Sequence, residues 1–494
     1  MPRLLSTSLL IGVLTASLTA WAQDPAPTPA AEQPAQPAEA PAASPTGAAL
    51  SADLESRIQD IDQRARIAER KLEILEEAAA AAKTTTPVLV AGERGFNWSS
   101  ADKAFVVKVR GYVHTDAREY LDDPELKNRD TFLIRRARPV LEATFFDVAD
   151  FRLMPDFGGG TAVLYDAYID LRPFPWLKLR AGKFKPPVGL ERLQSATAII
   201  FPERALPTNL VPNRDVGVQL HGVLGPAVAT YELGLFNGVV DAGNGDVDNN
   251  YAKDFVGRLF LTPFKFDPYN LLANLGVGVS GTWGNERGLP ATFDTTGATP
   301  RRTAASVPGL PNYRSAGQQT FFTYLLNDDA IDSTVVGRGK HRRLSPQGYF
   351  YYGGLGLLGE YALSNQHVVK GSASATLTHK AWQALASYVF GGKNAFEGVT
   401  VIAPFEPSKG TWGALELAAR YNALLLDEDT FPTYANPNRS ASKARAWGAV
   451  ANWHWSRNIK LTLAFEQTHY EGGAASGADR NTENTLFQRV QAAF

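Results

Sequence analysis

Three features of the sequence predict an all-β fold, namely a transmembrane antiparallel β-barrel of about sixteen strands preceded by a short α-helical coiled-coil segment. Polarity alternates residue by residue from about Lys103 to the last residue, Phe494. The opposite terminus reads as an export signal. Links between the alternating segments are short on one side and long on the other. In an outer-membrane barrel, lipid-facing and lumen-facing residues alternate in this way, and turns and loops segregate to opposite ends.

Met1 to Ala22 has a basic start at Arg3, an apolar stretch from Leu9 to Leu18 and Ala20-Trp21-Ala22 as a cleavage site. The stretch is too short to span a bilayer, so it reads as a secretory signal peptide with the mature chain starting near Gln23. Residues 23–49 are rich in Ala and Pro and read as a disordered linker. In 50–82, Leu54, Ile58, Ile61, Ala65, Ala68, Leu72 and Leu75 step by four and three alternately, with charges around them. This heptad seam predicts a periplasmic coiled coil, made weak by its two alanines, that ties protomers together. Residues 83–102 form a second linker, and the barrel occupies 103–494.

From Lys103 the period is two. Val107, Val109 and Val113 oppose Lys108, Arg110, Tyr112 and His114. Leu133, Ala137, Leu141, Ala143 and Phe145 oppose Arg136, Arg138, Glu142 and Thr144. Ile169 and Leu171 oppose Tyr168 and Asp170, and Leu177, Leu179 and Ala181 oppose Lys178 and Arg180. Twelve further segments follow, the last reading Leu486, Gln488, Val490, Ala492 against Arg489, Gln491 and Ala493. Short links at 146–149, 172–175, 224–226 and 456–458 alternate with long ones at 115–131, 185–213, 237–251, 284–344, 422–442 and 470–484. The link 391–410 is long on the short side, and 318–326 reads as a strand inside the fifth long loop.

Composition narrows the function classes. The chain contains no Cys, which excludes disulfides, thiolate metal sites and a cysteine nucleophile. Its seven His are scattered, and neither HExxH nor GxSxG occurs. No catalytic residue, metal site, cofactor or nucleic-acid partner is expected. Aromatics make up 11%, as interfacial girdles require, and the net charge of -1 selects no partner in bulk.

Selectivity must then lie in where the charges sit. The third long loop, 185–213, is expected to fold inward and narrow the lumen. It and its end carry Lys185, Arg192, Arg204 and Arg214, with Glu191, Glu203 and Asp215 as expected partners. Beneath lie Lys108, Arg110, Arg136, Arg138, Lys178 and Arg180. Such a basic stripe concentrates anions, and the planar guanidinium fork suits oxyanions. Arg338, Lys340, His341, Arg342 and Arg343 form a basic run expected to draw anions to the mouth. The bland reading is that lumen charges pair across strands, with Glu142, Asp166, Asp170 and Glu416 at hand, and that loop runs are solvated or meet lipopolysaccharide phosphates.

The stretches DTFLIRRARPVLEATFFDVADFRLMPDFGGG (130–160), YDAYIDLRPFPWLKLRAGKFKPPVGLERLQSAT (165–197) and FPERALPTNLVPNRDVGVQLHG (201–222) resemble the phosphate- and polyphosphate-selective porins O and P. PQGYFYYGGLGLLGEYALS (346–364) and GTWGALELAARYN (410–422) extend the resemblance. It implies a trimeric sixteen-stranded barrel with arginines along the path and lysines at its narrowest point. Arg136, Arg138 and Arg180 match the lining residues, and Lys108, Lys183 and Lys185 fall near the constriction. Lys183 lies on the lipid parity of its strand. The expected partners are inorganic phosphate, polyphosphate or other small anions, outer-membrane lipid and lipopolysaccharide, and two further copies of the chain. A general or sugar-type porin is the alternative. It would need an aromatic slide, of which Tyr112 and Tyr168 are the only inward members identified.

Overall fold

The computed structural model describes residues 47–93, 95–122, 129–246, 248, 252–296 and 299–494. The export signal and nearly all of the Ala/Pro linker lie outside them. The chain divides into two units, Met1–Glu77 and Ala78–Phe494.

Helix α1 spans Gly47–Thr85, three residues beyond the sequence reading at each end. Its seam residues Leu54, Ile58, Ile61, Leu72 and Leu75 are exposed. Its polar flank carries local ion pairs, Asp60–Arg64, Asp62–Arg66 and Arg70–Glu73. Such pairs support a solvated helix by only a few tenths of a kcal/mol each, about 0.3–0.5.

The second unit is a closed antiparallel barrel. Its strands are β1 Phe105–Leu121, β2 Thr131–Phe145, β3 Ala149–Asp156 and β4 Val163–Phe174. Then come β5 Leu177–Phe184, β6 Asp215–Leu224, β7 Ala229–Phe236 and β8 Asp254–Leu261. They are followed by β9 Leu275–Arg287, β10 Val336–Tyr352, β11 Leu355–Lys370 and β12 Ala373–Phe390. The last four are β13 Ala414–Leu425, β14 Ala441–His454, β15 Ile459–Gly472 and β16 Glu483–Ala493. Each strand pairs with the next, and β16 closes on β1 from Asn484↔Leu121 to Ala493↔Tyr112. Closure leaves no free edge in the wall, the condition for a sheet to exist in lipid. Alternation is strict in β12, where every second residue from Leu377 to Val389 is buried and the residues between are mostly exposed.

Residues 83–102 are not a plain linker. Val88–Gly92 and Gly95–Ser99 form a hairpin whose second arm pairs with β1 from Phe96↔Val109 to Ser99↔Val106. β1 therefore has two neighbours on one edge, the hairpin at one end and β16 beyond it. Phe494 stands at the junction, exchanging main-chain hydrogen bonds with Gly111 (3.1 and 2.9 Å).

Among the described residues, several links pack into the lumen, and three of them matter most for the path. The loop 185–213 is packed by Val188, Leu190, Leu206 and Leu210, all fully or almost fully buried. It is tied to β11, β13 and β14: Glu360 accepts from the Leu190 amide, Asn422 from the Leu206 amide, and Ile200 O accepts from Asn452. The fifth long loop carries a small hairpin, Asn312–Arg314 with Thr320–Thr323, where the sequence showed strand character. That hairpin reaches β1 and β16, where Gly317 O accepts from Arg118 and Tyr120 and its amide meets Glu483. The long link on the short side explains itself. Phe396 stacks on Tyr349 (5.0 Å, 19°), and its carbonyl accepts from Gln194 of the inserted loop.

Candidate anion path

The inserted loop is fastened to β11–β16 at many points and to β1 and β2 through Glu203, and open space remains on the β1–β6 side. Two cavities mark it. One, of about 330 Å³ at the long-loop end, is lined by Arg118, Arg135, Asp156, Tyr165, Arg314 and Gln318 among others. The other, of about 890 Å³ at the short-turn end, is lined by Lys108, Glu142, Arg152, Tyr168, Asp170, Arg172 and Arg180 among others.

Between the cavities stands an interlocked group. The Arg138 guanidinium lies 4.1 Å from the centre of the Tyr165 ring, and Arg214 lies 4.6 Å from it. Arg138 also donates to Asp156 (2.7 Å) and to Tyr112 Oη (2.8 Å). Asp166 joins Arg214 (3.2 Å) to Arg152 (3.3 Å), which itself lines the larger cavity. Arg180 pairs with Asp170 (2.6 Å) and lies over Tyr168. Arg110 is 3.4 Å from Glu142. The wall charges thus pair across strands, as the bland reading anticipated for Glu142, Asp166 and Asp170.

The inserted loop behaves differently. Lys185 Nζ donates to Leu193 O (3.1 Å) and Gln194 O (2.8 Å). Arg204 donates to Glu191 O (2.9 Å) and Gln194 O (2.8 Å). Arg192 donates to Thr208 O and to Asn213 Oδ1 (3.2 Å). Among the described residues, none of these three cations has a carboxylate within ion-pair distance. The expected partners are engaged elsewhere. Glu191 accepts from the Ala205 amide and Gln383, and Asp215 from the Val216 and Gly238 amides. Burial, and then the guanidiniums of Arg214 and Arg204, press the Lys185 ammonium well below its ordinary range.

Glu203 does serve as a partner, and for several cations at once. Its carboxylate is 2.5 Å from Arg135, 3.5 Å from Arg136 and 3.7 Å from Arg118. Burial alone would raise its pKa, yet Arg135 and Arg136 hold it far below the usual carboxylate range.

The structure thus brings together Arg138, Lys185, Arg192, Arg204 and Arg214, with Lys108 and Arg180 lining the larger cavity and Arg110 paired to its Glu142. Lys178 is half-buried without an ion pair among the described residues. Arg136 is buried against His114 (3.1 Å) and Glu203, behind the path. Lys183 is not in the path. It is buried on the outer parity of β5 and pairs with Asp246 of the next long link.

The external funnel is also corrected. Val336–Tyr352 is one long strand rather than a loop end, so parity separates the basic run. Arg338, Lys340 and Arg342 share the exposed side with Leu344, away from the lumen. Arg343 faces inward but is buried against Asp241 (2.6 Å) and Asp254 (3.4 Å).

Alternation also failed at Arg135. A register shift sets His114 opposite Arg136 and Thr115 opposite Ile134, leaving Arg135 as the extra residue of a β-bulge. Beyond the bulge the parity inverts, so that Ile134 is exposed and Leu133 lines the lumen cavity. Arg118, Arg152 and Tyr165 were missed as well. Arg118 and Arg152 lie on the lumen parity of segments whose ends or faces had not been assigned, and Tyr165 is the extra residue of a second bulge, between Asp166 opposite Met154 and Leu164 opposite Pro155.

Comparison with known proteins places these features. Residues 107–494 match the model of the family described as phosphate-selective porin O and P. No curated protein matches the chain. Among solved structures, the anion-selective porin from Comamonas acidovorans is 10% identical over 79% of this chain and 100% of its own, with a TM-score of 0.47. OprB of Pseudomonas putida is 11% identical over 80% and 95%, with a TM-score of 0.46. OmpT of Vibrio cholerae is 10% identical over 79% and 98%, with a TM-score of 0.45. The family match spans the whole barrel, and the chain belongs to the phosphate-selective porin O and P family: it is an anion-conducting outer-membrane porin.

Proposed function

We propose that this porin conducts phosphate or polyphosphate passively through the β1–β6 side of its lumen, and that the inserted loop holds the selective step. One observation carries the reading: Lys185, Arg192 and Arg204 are fixed by carbonyl and amide oxygens without a carboxylate. Arg192 is buried and Lys185 and Arg204 are half-buried; a desolvated cation without a counter-charge is costly, and a passing oxyanion supplies that charge. Binding must stay modest, because an ion held too tightly does not leave. The sugar-type alternative finds little support. Tyr112, Tyr165 and Tyr168 make no ring contact with one another among the described residues, and each ring lies under a guanidinium.

The test is the reversal potential in planar bilayers across a chloride gradient, repeated as phosphate is titrated in. Anion preference with phosphate block of the chloride current is expected. Weak selectivity without block would make this a general porin.

The long-loop end is assigned to the cell exterior and the N-terminal segment to the periplasm. The exposed seam of α1 supports a weak coiled coil within a trimer. Deleting residues 50–82 should then lower trimer stability in detergent, and an unchanged trimer would refute that role. The outer wall meets lipid, including lipopolysaccharide.

A further inference from the structure

Strand β10 is polarised along its length on the outer face. Reading outward-facing residues from the long-loop end, it presents Arg338, Lys340 and Arg342, then Leu344, Pro346, Gly348, Phe350 and Tyr352. Arg342 pairs in register with Trp283 of β9, an exposed aromatic where an interfacial girdle would sit. Two strands away, Lys380 of β12 is exposed on the same face, in register with Leu363 of β11 and so with Leu344. At the usual strand spacing this is a lateral separation of about 10 Å. Among the described residues, none of these four cations makes an ion pair or side-chain hydrogen bond.

Below them the wall is hollowed. Gly348, Gly359, Ala384 and Ala386 put small residues side by side on β10–β12, Val277 and Leu357 flank them, and the hollow continues past Ala419 and Tyr421 of β13 to Trp447 and Gly448 of β14. The depression measures about 710 Å³. It lies six residues below Arg342 on the same strand, roughly 20 Å at 3.3 Å per residue, which is the reach of a fatty acyl chain. Exposed unpaired cations above an apolar slot have the complementarity of a phosphorylated lipid. The cations stand where head groups sit and the slot where acyl chains run.

We propose that the outer face of β9–β12 is a binding site for a phosphorylated glycolipid of the outer leaflet. Its phosphates lie on Arg338, Lys340, Arg342 and Lys380, and one acyl chain lies in the slot at Gly348 and Ala384. The site is separate from the anion path, since these side chains are on the other side of the wall. Arg is suited to it, because its planar fork takes two phosphate oxygens at once.

The test uses the full-length protein in detergent, titrated with diphosphorylated lipid A and, as a control, with the dephosphorylated lipid. The wild type should prefer the phosphorylated form. The triple variant R338Q/K340Q/R342Q should bind it at least about tenfold more weakly, a change of about 1.4 kcal/mol. Its conductance and phosphate block should be unchanged, which also shows that it is folded. The slot-filling variant A384L should weaken both lipids. Equal affinity of the triple variant and the wild type would overturn the proposal. So would dissociation of the oligomer by A384L without a change in lipid affinity, which would give the slot to a neighbouring barrel.

Discussion

On the β10–β16 side of the lumen, three buried arginines meet carboxylates, while Lys460 meets the carbonyls of Thr197 and Ile199. Arg420 meets Glu466 (2.7 Å), Arg489 meets Asp116 (2.6 Å) and Arg343 meets Asp241 (2.6 Å). On the inserted loop, Lys185, Arg192 and Arg204 meet only carbonyl and amide oxygens. Both arrangements satisfy hydrogen bonds, but only the first cancels charge. Carbonyl dipoles fix a cation in place and leave most of its field available. In the proposed function, neutralised cations hold the loop and the strands together, and the uncancelled ones attract what passes.

The largest effect is expected at the hinge between the two regimes. Glu203 is the shared carboxylate of Arg118, Arg135 and Arg136, so Glu203→Gln leaves buried guanidiniums without their counter-charge. A loss of about 3–5 kcal/mol is expected, read as a lower midpoint for unfolding of the purified barrel. An unchanged midpoint would show that the loop is held by its apolar packing. Next, Lys185→Gln with Arg204→Gln should weaken phosphate block of the chloride current about tenfold or more. If block survives, carbonyl-bound and carboxylate-bound cations are equivalent and the contrast between the two regions fails.

A smaller, pH-dependent effect follows from Lys185. Its pKa is lowered in the folded protein by burial and by Arg214 and Arg204. The charged form is therefore full at low pH and lost as pH rises, well before the ordinary lysine range. Block by sulfate, whose own charge is constant here, should weaken as pH rises from neutral, and Lys185→Arg should flatten the profile. A wild-type profile already flat would mean that Lys185 keeps its proton throughout. The smallest effect is expected for Lys178→Gln, with less than about a twofold change in block. A larger one would move the selective step toward the short-turn end.

Period-two alternation made the strands legible, because lipid on one side and water on the other impose it on every segment. The segments expected at 376–390 and 459–469 recur as β12 and β15, each somewhat extended. The site was legible only where alternation is unbroken. Arg138 and Arg180 were found by parity, whereas Arg135 was hidden because one bulge residue reverses it. Partners were less legible than linings. Glu203 lies 68 residues from Arg135, and only the inward fold of the loop joins them. The run from Arg338 to Arg343 looked like a single patch, since a loop has no parity; as a strand it divides between two faces.

The first edge of β1 is shared between a hairpin that enters before the barrel and the strand that finishes it, with Phe494 where the two meet. Had β16 slid along β1 toward Phe105, it would have run into residues 96–99, already bonded there. A slip of one position would also turn every side chain of β16 to the wrong face. The hairpin therefore works as a buffer stop: it fixes the stagger of the whole cylinder, and with it the height at which each basic residue meets the ion stream.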